Sequence, residues 1–488
     1  MARERQARPT KPGPDEAPGP AADLGTAPGR TASAEPEAAE REAERAPERL
    51  GGSHALVNVL LVGGGAREHA LAWRLRQSPR LGKLWLTDGE NPGLAALGQV
   101  VDVPVDWVRP YRIQSFCEKN RIGLVVIGPE DPLAAGAADA LATPGRVVFG
   151  PGKEAAQLES DKAWCRMLLR GASVPMPEGR VFADPEAAKG FLQSRESPHV
   201  VKAAGLARGK GVFVPDTLAE ALEAVDRIMV RREFGEAGRQ VIVEERLKGR
   251  EASVLALVDG RNIFVLEPCL DHKRLGEGES GPNTGGMGAI CPGGITDERL
   301  LDQVQRQILV PTLDAIRREG LDYRGVLYAG IMLTPAGPKL LEYNARFGDP
   351  ECQALMARFD ADLMEVLLAT GTRALDQVRI DWRPGASCCV VLASRGYPEK
   401  PRTGDVIGGL DEAARHEGVL VFHGATRRDA EGRIVTAGGR AISVVGVGDD
   451  PAQARQRAYD AAELIRWEHR VMRRDIGAVT AGASAAPA

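Results

Sequence analysis

The sequence predicts a protein of several domains, in which a parallel α/β domain precedes α+β and β-rich domains. Its 488 residues are enough for about three or four domains. Between residues 57 and 157, short apolar runs alternate with helical stretches, which is typical of a parallel sheet with right-handed crossovers. Later apolar runs are joined by tight turns such as the Pro- and Gly-rich segment 335–338, which favours antiparallel pairing.

The first folded segment, residues 57–157, is predicted to be the N-terminal parallel α/β domain. Val57–Val62 is a continuous apolar run, as expected of a strand that is covered on both faces. Three glycines follow at 63–65, and residues 66–76 then have the pattern of a helix. The sheet is expected to continue with strands at 83–87, 124–127 and 147–149.

Residues 158–377 are predicted to form a second, α+β domain with a small lobe at about 175–249. Its first helix is expected to begin at Ser160, whose hydroxyl suits an N-cap position. The small lobe is expected to contain strands at 200–202, 212–214 and 240–245 and a helix at 217–230. Antiparallel strands of the larger lobe are expected at 252–258, 263–266, 326–333 and 339–343.

Residues 378–477 are predicted to form a small β-rich C-terminal domain. Its strands are expected at 388–392, 419–422 and 441–447, before a final helix at about 451–466. Residues 478–488 are small and are expected to form a loose tail. Residues 1–56 are rich in Pro, Ala, Arg and Glu and contain no aromatic side chain, so we expect a disordered extension.

The composition excludes several functional classes. A net charge of −4 leaves no general basic surface for nucleic acid, and no run of about 18 apolar residues could form a transmembrane helix. The seven Cys show no CxxC pair, which argues against a zinc site or a disulfide framework and for a reducing compartment. We therefore expect a cytoplasmic protein with neither a nucleic-acid nor a membrane partner.

The glycines at 63–65 lie between a strand and a helix N-terminus, where backbone N–H groups can bind phosphate. However, Glu68 stands where a dinucleotide-binding loop has its third glycine. A sugar-phosphate site or a simple turn is therefore favoured over a dinucleotide site.

A second glycine-rich loop lies between two predicted strands at 202–211. It combines three glycines with three cations, so its backbone and side chains could surround a polyphosphate. A flexible charged turn is the alternative. It does not have the spacing of a GxxxxGK[ST] phosphate loop.

A third candidate site begins at the end of a predicted strand. Glu342 and Asn344 are two residues apart, so both side chains point to the same face of the strand. Two oxygen ligands on one face suit Mg²⁺, and Arg346 adds a planar fork for a carboxylate or a phosphate. A solvated strand end is the alternative.

The long polar segment 271–288 is the fourth candidate. It begins with Asp271, His272, Lys273 and Arg274 and continues into a glycine-rich stretch. Loops of this length and composition are uncommon unless they are functional, so a substrate loop is favoured over a linker. His272 could equally be a hydrogen-bonded structural residue.

Taken together and in order, these segments resemble the phosphoribosylamine–glycine ligase (glycinamide ribonucleotide synthetase) family of the ATP-grasp superfamily. The resemblance covers residues 57–477. It is carried by the stretches GGGAREHALAW, IGPEDPL, KAAGLARGKGV, DHKR, GPNTGGMGA, YAGIML, LEYNARFGDPE and RTGDVI. Two positions differ from the family pattern, because Ala204 replaces an acid and residues 88–93 read DGENPG where the family has PGN.

The resemblance implies an ATP-grasp core with a mobile small lobe. It also implies a monomeric enzyme that uses ATP and Mg²⁺ or Mn²⁺ to ligate glycine to 5-phosphoribosylamine in de novo purine biosynthesis. Glycyl phosphate would be the intermediate, and the products would be glycinamide ribonucleotide, ADP and phosphate. This chemistry requires no protein nucleophile, because positioning and charge neutralisation carry phosphoryl transfer.

The same resemblance implies roles for individual residues. The ATP contacts would be Lys162, Lys202, Gly205, Gly209, Lys210, Gly211, Glu244, Glu245, Leu247 and Glu251. The metal ligands would be Glu342 and Asn344. The catalytic residues would be Arg346, Asp271, Lys273 and Asn283. The other substrate contacts would be Gly64, Gly65, Arg67, Glu68, Thr284, Gly285, Gly286, Gly348 and Asp349.

Two other functions remain as alternatives. A different ATP-grasp enzyme, such as a carboxylating purine enzyme or a biotin-dependent enzyme, would use bicarbonate in place of glycine. A nicotinamide-dependent oxidoreductase built on the first domain is disfavoured by Glu68.

Overall fold

A computed structural model of the chain describes residues 55–478, except 208, 294 and 296. The predictions for residues 1–54 and 479–488 therefore lie outside the described residues.

The N-terminal domain is built on a five-stranded parallel sheet with the order β3-β2-β1-β4-β5. Strand β1 lies between β2 and β4, so the strand order reverses at β1. Connections on the two sides of β1 run in opposite directions along the sheet, which leaves a crevice at the carboxyl end of β1. The strands are β1 (Val57–Val62), β2 (Leu81–Leu86), β3 (Gln99–Val100), β4 (Ile122–Ile127) and β5 (Val147–Phe149). The helices are α1 (Ala66–Leu75), α2 (Pro92–Ala95), α3 (Tyr111–Lys119), α4 (Glu130–Ala135) and α5 (Ala137–Leu141).

Two helices connect this domain to the next one, α6 (Gln157–Ser160) and α7 (Lys162–Gly171). The prediction that Ser160 is the N-cap of the second helix is wrong, because Ser160 is the last residue of α6. Asp161 caps α7 instead, since its Oδ1 accepts hydrogen bonds from the backbone N–H groups of Ala163 and Trp164, both at 3.0 Å.

The small lobe is a four-stranded antiparallel sheet with the order β6-β9-β7-β8, covered by two helices. Its elements are β6 (Gly179–Phe182), α8 (Pro185–Gln193), β7 (His199–Ala203), β8 (Val212–Phe213), α9 (Leu218–Val225) and β9 (Val241–Glu245). Thr217 caps α9 in a capping box with Glu220. The predicted helix continues to residue 230 as a π-helical turn, Asp226–Val230.

A second antiparallel sheet, β11-β10-β16-β17, forms the larger lobe of this domain. Its strands are β10 (Arg250–Asp259), β11 (Ile263–Val265), β16 (Arg324–Thr334) and β17 (Gly337–Asn344). Helices α10 (Glu298–Val304) and α11 (Val310–Arg318) are joined by a π-helical turn and pack on this sheet. The β16–β17 pairing contains a bulge, because Gly330 pairs with Glu342 whereas Ile331 pairs with Leu340, so Leu341 is the extra residue.

The C-terminal domain contains a five-stranded antiparallel sheet with the order β12-β15-β18-β22-β19. Two of its strands come from the preceding segment, β12 (Leu270–Asp271) and β15 (Gly288–Cys291). The others are β18 (Ala386–Ala393), β19 (Val419–His423) and β22 (Arg440–Gly448). Two small hairpins lie beside it, β13 (Arg274–Gly276) with β14 (Ser280–Asn283), and β20 (Thr426–Arg428) with β21 (Ile434–Thr436).

Four further α-helices follow: α12 (Glu351–Arg358), α13 (Leu363–Gly371), α14 (Leu410–Ala414) and α15 (Pro451–Leu464). Short 3-10 helices lie at Gly235–Gly238 and Leu375–Gln377. Helix α15 packs closely on β22, since a Cβ at Gly446 would lie 2.2 Å from the Ala454 carbonyl oxygen. The predicted fold class, a parallel α/β domain followed by α+β and β-rich parts, is confirmed. In the described part of the chain, no helix is both long and apolar enough to cross a membrane.

Candidate functional site

A cleft of about 600 Å³ opens where the N-terminal sheet, both lobes of the middle domain and the C-terminal sheet meet. All but four of the site residues predicted from the sequence line it. The exceptions are Gly205, Lys210, Gly286 and Gly348, which neighbour lining residues in the chain.

One end of the cleft carries two lysines. Lys162 is the first residue of α7, and its backbone N–H donates to the Ala204 carbonyl at 2.8 Å. Lys202 is buried on β7, where its ammonium group forms an ion pair with Glu244 and donates to the Leu341 carbonyl at 3.2 Å. The bulge at Leu341 therefore presents a carbonyl oxygen to Lys202.

Glu244 is held from two sides. Besides its contact with Lys202, its carboxylate accepts a hydrogen bond from Arg166 Nη1 at 3.0 Å. A smaller cavity of about 40 Å³ adjoins this end and is lined by apolar side chains from the same helix and strands, including Cys165, Leu169 and Ile242. Next to it, Glu245 is paired with Lys339 at 2.9 Å.

The glycine-rich loop after β7 needs its glycines for close packing. A Cβ at Gly205 would lie 2.6 Å from Ala237 Cα, and a Cβ at Gly211 would lie 2.6 Å from Ala207 Cβ. Gly209 has a φ of +75°, which favours glycine. Gly209 and Gly211 line the cleft, whereas the side chain of Lys210 is exposed.

Glu342 and Asn344 both line the middle of the cleft from one face of β17, as the sequence predicts. The Glu342 carboxylate makes no hydrogen bond or ion pair with any residue that the structure describes. Burial alone would raise its pKa, but nearby Lys273, Lys162 and Lys202 lower it below the usual value. Glu342 is therefore an ionised carboxylate facing the cleft, with Asn344 beside it.

These two side chains fit a hard divalent cation, because their donors are a free carboxylate and an amide oxygen. Within residues 55–478, apart from the three positions left out, no group of three or more His, Cys, Asp or Glu could hold a metal. Metal binding at this strand would thus also require substrate oxygens.

Arg346 is surrounded by acidic groups that no local sequence pattern indicates. It pairs with Glu130 at 3.2 Å and with Glu159 at 3.0 Å, and its Nη2 donates to Asn344 Oδ1 at 3.3 Å. Although burial opposes it, the neighbouring Glu159 and Glu130 raise the pKa of Arg346 above its usual value. Burial raises the pKa of Glu159, whereas Arg346 and Arg67 offset burial and lower that of Glu130.

A buried acidic cluster forms another wall of the cleft. Asp271 lies on β12, its Oδ1 has no hydrogen-bond partner within the described chain, and burial followed by Glu351 raises its pKa well above the usual value. Glu351 accepts a hydrogen bond from the Tyr328 hydroxyl, which also lies 2.8 Å from Ser253 Oγ. Lys273 lies 3.6 Å from Glu251. Asp271 is therefore a carboxyl group with an oxygen that the described residues leave unpaired, in surroundings that favour its protonated form more than water does.

Two of the three backbone N–H groups of the loop at 63–65 are already used within the protein. The N–H of Gly65 donates to Glu68 Oε2 at 2.7 Å, and the N–H of Gly63 donates to Thr87 Oγ1 at 3.0 Å. A Cβ at Gly64 would lie 2.0 Å from Asp88 Oδ2, so a carboxylate covers this glycine. The loop is thus surrounded by acidic oxygens.

The side chains that follow this loop fix it to other domains. Arg67 is buried, pairs with Glu68 at 2.6 Å and donates to the Phe347 carbonyl at 3.2 Å. Asn91 donates to the Gly64 carbonyl at 2.8 Å and to the His423 carbonyl at 2.7 Å. The loop is therefore tied to the middle domain and to the C-terminal sheet.

The C-terminal domain also holds the predicted substrate loop. Arg440 Nη1 donates to the carbonyls of Gly285 at 2.8 Å and Asp349, and Nη2 lies 3.3 Å from Asp349 Oδ2. The Gly285 N–H donates to the Tyr397 hydroxyl at 2.9 Å. Arg440 could not be identified from the sequence, because it lies 155 residues from Gly285 in a segment without a local motif.

The hairpin formed by β13 and β14 is held in place by contacts with residues 473–477. Arg473 is buried, donates to the Arg274 carbonyl at 3.0 Å and pairs with Glu279 at 2.8 Å and with Asp475 at 2.7 Å. His272 Nε2 accepts a hydrogen bond from the Gly477 N–H at 3.2 Å, so its Nδ1–H donates to Glu279 at 3.1 Å. His272 is thus a structural residue of this hairpin.

Three family models match consecutive parts of the chain. They describe the phosphoribosylglycinamide synthetase N domain at residues 57–159, its ATP-grasp (A) domain at 160–352 and its C domain at 387–479.

Curated relatives agree with these models. A phosphoribosylamine–glycine ligase of Rhodopirellula baltica is 46% identical over 427 residues, which cover 86% of this chain and 97% of the relative. A chloroplastic phosphoribosylamine–glycine ligase of Arabidopsis thaliana is also 46% identical, over 88% of this chain and 81% of the relative.

Solved structures show the same architecture. The phosphoribosylamine–glycine ligase of Thermotoga maritima is 32% identical, with a TM-score of 0.73, and the match covers 86% of this chain and all of that one. The biotin carboxylase domain of a Hydrogenobacter thermophilus 2-oxoglutarate carboxylase, solved with the magnesium salt of ADP and with bicarbonate, has a TM-score of 0.63. The match covers 86% of this chain and 92% of that one, but at 14% identity it shows the fold alone.

Proposed function

Because the chain belongs to the phosphoribosylglycinamide synthetase family and is an ATP-dependent ligase of glycine and phosphoribosylamine, we propose that its cleft forms a glycyl phosphate intermediate. Its product, glycinamide ribonucleotide, belongs to purine biosynthesis. The observation that carries the proposal is the ionised Glu342 carboxylate, which has no protein partner in the described chain and faces several cations. An ionised carboxylate in this position suits a metal ligand between the phosphates of ATP and a second substrate.

In this proposal ATP occupies the end of the cleft with the two lysines. Lys162 and Lys202 bind phosphates, and the loop containing Gly205, Gly209, Lys210 and Gly211 covers them. Glu244, Glu245 and Leu247 contact the adenine through backbone groups, and Glu251 contacts the ribose. When Lys202 turns from Glu244 to a phosphate, Arg166 keeps the Glu244 carboxylate paired at 3.0 Å.

Glu342 and Asn344 would hold Mg²⁺ or Mn²⁺ together with ATP oxygens. The metal supplies neutralisation of the charge that develops on the transferred phosphoryl group. The structural neighbour solved with the magnesium salt of ADP supports a divalent cation in this fold. Arg346 orients the Asn344 oxygen through its hydrogen bond to Oδ1.

The first chemical step transfers a phosphoryl group to glycine. A carboxylate oxygen of glycine forms a bond to the γ-phosphorus, and the bond from that phosphorus to ADP breaks. Arg346, Lys273 and Asn283 position the glycine carboxylate, since all three line the cleft beside Glu342 and Asn344. Asp271, whose Oδ1 has no partner among the described residues, lies beside the acyl phosphate.

The second step forms the amide bond. The amine of phosphoribosylamine attacks the acyl carbon, and the bond from carbon to the phosphate oxygen breaks. The proton that the amine loses leaves with the phosphate as hydrogen phosphate, so the step needs no protein base. The amine substrate is surrounded by residues of the glycine loop and of the segment after β17: Gly64, Gly65, Arg67, Glu68 and Asp349. The 283–288 loop, which includes Thr284, Gly285 and Gly286, separates this substrate from water. Gly348 leaves space for the turn that contains Asp349.

Closure of the small lobe completes the site in this proposal, because an acyl phosphate must be shielded from water. We propose a monomer, as the family resemblance implies. We also propose a cytoplasmic enzyme, since all seven cysteines are buried thiols without disulfides.

Isotope transfer tests the intermediate. Glycine labelled with ¹⁸O in its carboxylate should transfer one ¹⁸O to each phosphate released, because the C–O bond of glycyl phosphate breaks in the second step. The control omits ATP, glycine and phosphoribosylamine in turn, and full phosphate release should require all three. Released phosphate without ¹⁸O would contradict the glycyl phosphate mechanism.

A further inference from the structure

We propose that Arg440, contributed by the C-terminal sheet, binds the phosphate group of phosphoribosylamine. The proposal rests on the proposed function, because it assigns one end of that substrate to one residue of the cleft. It is independent of the order of the chemical steps.

The glycine loop of the N-terminal domain is a poor match for this phosphate, because two of its three N–H groups are occupied and carboxylates lie beside it. The backbone N–H groups of Gly63 and Gly65 already donate to Thr87 and Glu68. The carboxylate of Asp88 covers Gly64. A phosphate dianion placed here would face two carboxylates, whereas ribose hydroxyl groups could donate hydrogen bonds to them.

Most other cations that line the cleft are already paired, are assigned to the glycine carboxylate, or belong to the nucleotide end. Arg346 has two carboxylate partners. Arg67 pairs with Glu68 and donates to a backbone carbonyl, and only 8% of its side chain is exposed. Lys273 faces Glu251. Lys162 and Lys202 lie at the proposed ATP end. Arg246, next to Glu245, is paired with Asp216. Among the described residues two arginines remain: Arg274 on the hairpin, which donates only to a backbone carbonyl, and Arg440 on β22, whose one carboxylate neighbour is Asp349 at 3.3 Å.

Arg440 has the geometry of a phosphate ligand. Its Nη1 is fixed by backbone carbonyls, its Nη2 lies beside Asp349, and its Nε–H has no acceptor among the described residues. About a quarter of its side chain, 24%, remains exposed, and it lines the cleft. A guanidinium held on one edge keeps further donors for a planar, bidentate contact with phosphate.

The neighbours of Arg440 match the rest of a sugar phosphate. Asp349 is an acceptor, because Arg440 and Arg67 overcome burial and lower its pKa below the usual value. It lies next to the glycine loop, since a Cβ at Gly65 would be 3.8 Å from Asp349 Oδ2. A cation beside an ionised carboxylate suits a molecule that carries a phosphate close to hydroxyl groups.

Gly285 lets the loop come close to Arg440. A Cβ at this position would lie 3.0 Å from Arg440 Cζ, so any side chain would press on the guanidinium. Tyr397 holds the Gly285 N–H in place from the C-terminal domain. The loop therefore comes close to Arg440 without covering it.

Steady-state kinetics of Arg440→Gln and Arg440→Lys test the proposal. Losing a charged hydrogen bond costs about 1.5–3 kcal/mol, so Arg440→Gln should raise the KM for phosphoribosylamine roughly 10–150-fold. Arg440→Lys keeps the charge and should show a smaller rise. The KM values for ATP and glycine should stay within about twofold, and Arg433→Gln, an exposed arginine of the same domain, should match the wild type.

A binding measurement separates phosphate recognition from a structural effect. Ribose 5-phosphate should inhibit the wild type more strongly than ribose, and Arg440→Gln should lose this preference while it keeps ATP binding. An unchanged KM for phosphoribosylamine in Arg440→Gln would overturn the proposal, as would equal losses for all three substrates. A selective rise in Arg274→Gln alone would assign the phosphate to Arg274 instead.

Failure of this proposal is distinguishable from failure of the proposed function. The ¹⁸O transfer from glycine to phosphate concerns the wild type and should also persist in Arg440→Gln at saturating phosphoribosylamine. If the wild type shows no ¹⁸O transfer, the acyl phosphate is wrong while Arg440 can still be tested through KM. If the transfer occurs and the KM does not move, only the assignment of Arg440 is wrong.

Discussion

Lys202 shares its buried ammonium group between the Glu244 carboxylate and the bulged carbonyl of Leu341. Replacing Lys202 with Met should weaken ATP binding roughly 10–150-fold, because one charged hydrogen bond to phosphate is lost. The fold should persist, since Arg166 still pairs with Glu244. Calorimetric titration with ATP measures the effect, and Lys400→Met, an exposed lysine, is the control. Unchanged ATP affinity would remove Lys202 from the phosphate site.

Glu342→Gln changes charge but almost no volume at the proposed metal position. The variant should need more Mg²⁺ for half-maximal activity and turn over more slowly, because one anionic ligand is lost. Excess Mg²⁺ should restore part of the rate. The Mg²⁺ dependence of activity is measured for the wild type and for Glu342→Gln. Glu365→Gln, which changes a half-exposed glutamate, is the control. A normal Mg²⁺ dependence in Glu342→Gln would contradict the metal assignment.

The side chains of the site differ in how far the sequence predicts them. Glu342 and Asn344 follow from a strand periodicity of two, which is a local pattern. Glu130 reaches Arg346 across 216 residues, and Arg440 reaches Gly285 across 155, so no spacing within one segment could indicate either contact. Long-range ion pairs depend on how domains are placed, which local patterns do not encode.

Helix α7 presents Lys162 to the cleft from its first turn, and Asp161 holds that turn. Asp161→Ala should lower stability by about 1 kcal/mol, because two backbone N–H groups lose their acceptor. The ATP affinity should fall as well, since Lys162 follows the cap directly. Denaturant unfolding and ATP titration measure the two effects, with Ser160→Ala as the neighbouring control. Equal effects of both substitutions would contradict the assignment of the cap.

The elements show the same division between local and non-local information. The long strands β10, β16 and β18 follow from continuous apolar runs. The cap of α7 was misassigned by one residue because Ser160 and Asp161 are both good N-caps, and only the backbone geometry decides between them. The π-helical turns at Asp226–Val230 and Gln305–Leu309 continue an ordinary helical pattern and leave no separate signal in the sequence.

At the scale of the whole molecule, two buried histidines join the first domain to the last. The backbone N–H of His423 donates to His69 Nδ1 at 2.9 Å, and the centroids of the two imidazole rings lie 5.8 Å apart. Burial and then the charge of His423 lower the pKa of His69 to about 3, and burial lowers that of His423 to about 4. Both imidazoles are therefore neutral in the folded protein at neutral pH.

This pair should make the folded state sensitive to acid. In the unfolded chain both groups have a pKa near 6.5, so below that pH the unfolded state binds more protons and stability falls until the folded pKa is reached. For each imidazole the loss at pH 5 is about 2 kcal/mol. His69→Asn keeps an acceptor but cannot titrate, so its melting temperature should fall less between pH 7 and pH 5. The exposed His416→Asn should behave as the wild type, and an unchanged pH slope in His69→Asn would contradict this account.

The arrangement of the domains was predicted only in outline. Strands β12 and β15, which contain two and four residues, lie in the middle segment but pair within the C-terminal sheet. Strands this short give no periodic signal, and which edge they join depends on packing. The C-terminal sheet is therefore completed by residues that lie far from it in the sequence.

The buried Arg473 also has a consequence for how the enzyme folds during its synthesis on the ribosome. The hairpin that carries Arg274 and Asn283 is anchored by residues 473–477, about two hundred positions later in the chain. Domains fold as units from the N-terminus during synthesis, so the parallel sheet can form while translation continues. A nascent chain that has folded its first two domains is still an inactive one, and catalytic competence appears only when its final anchoring residues emerge from the exit tunnel.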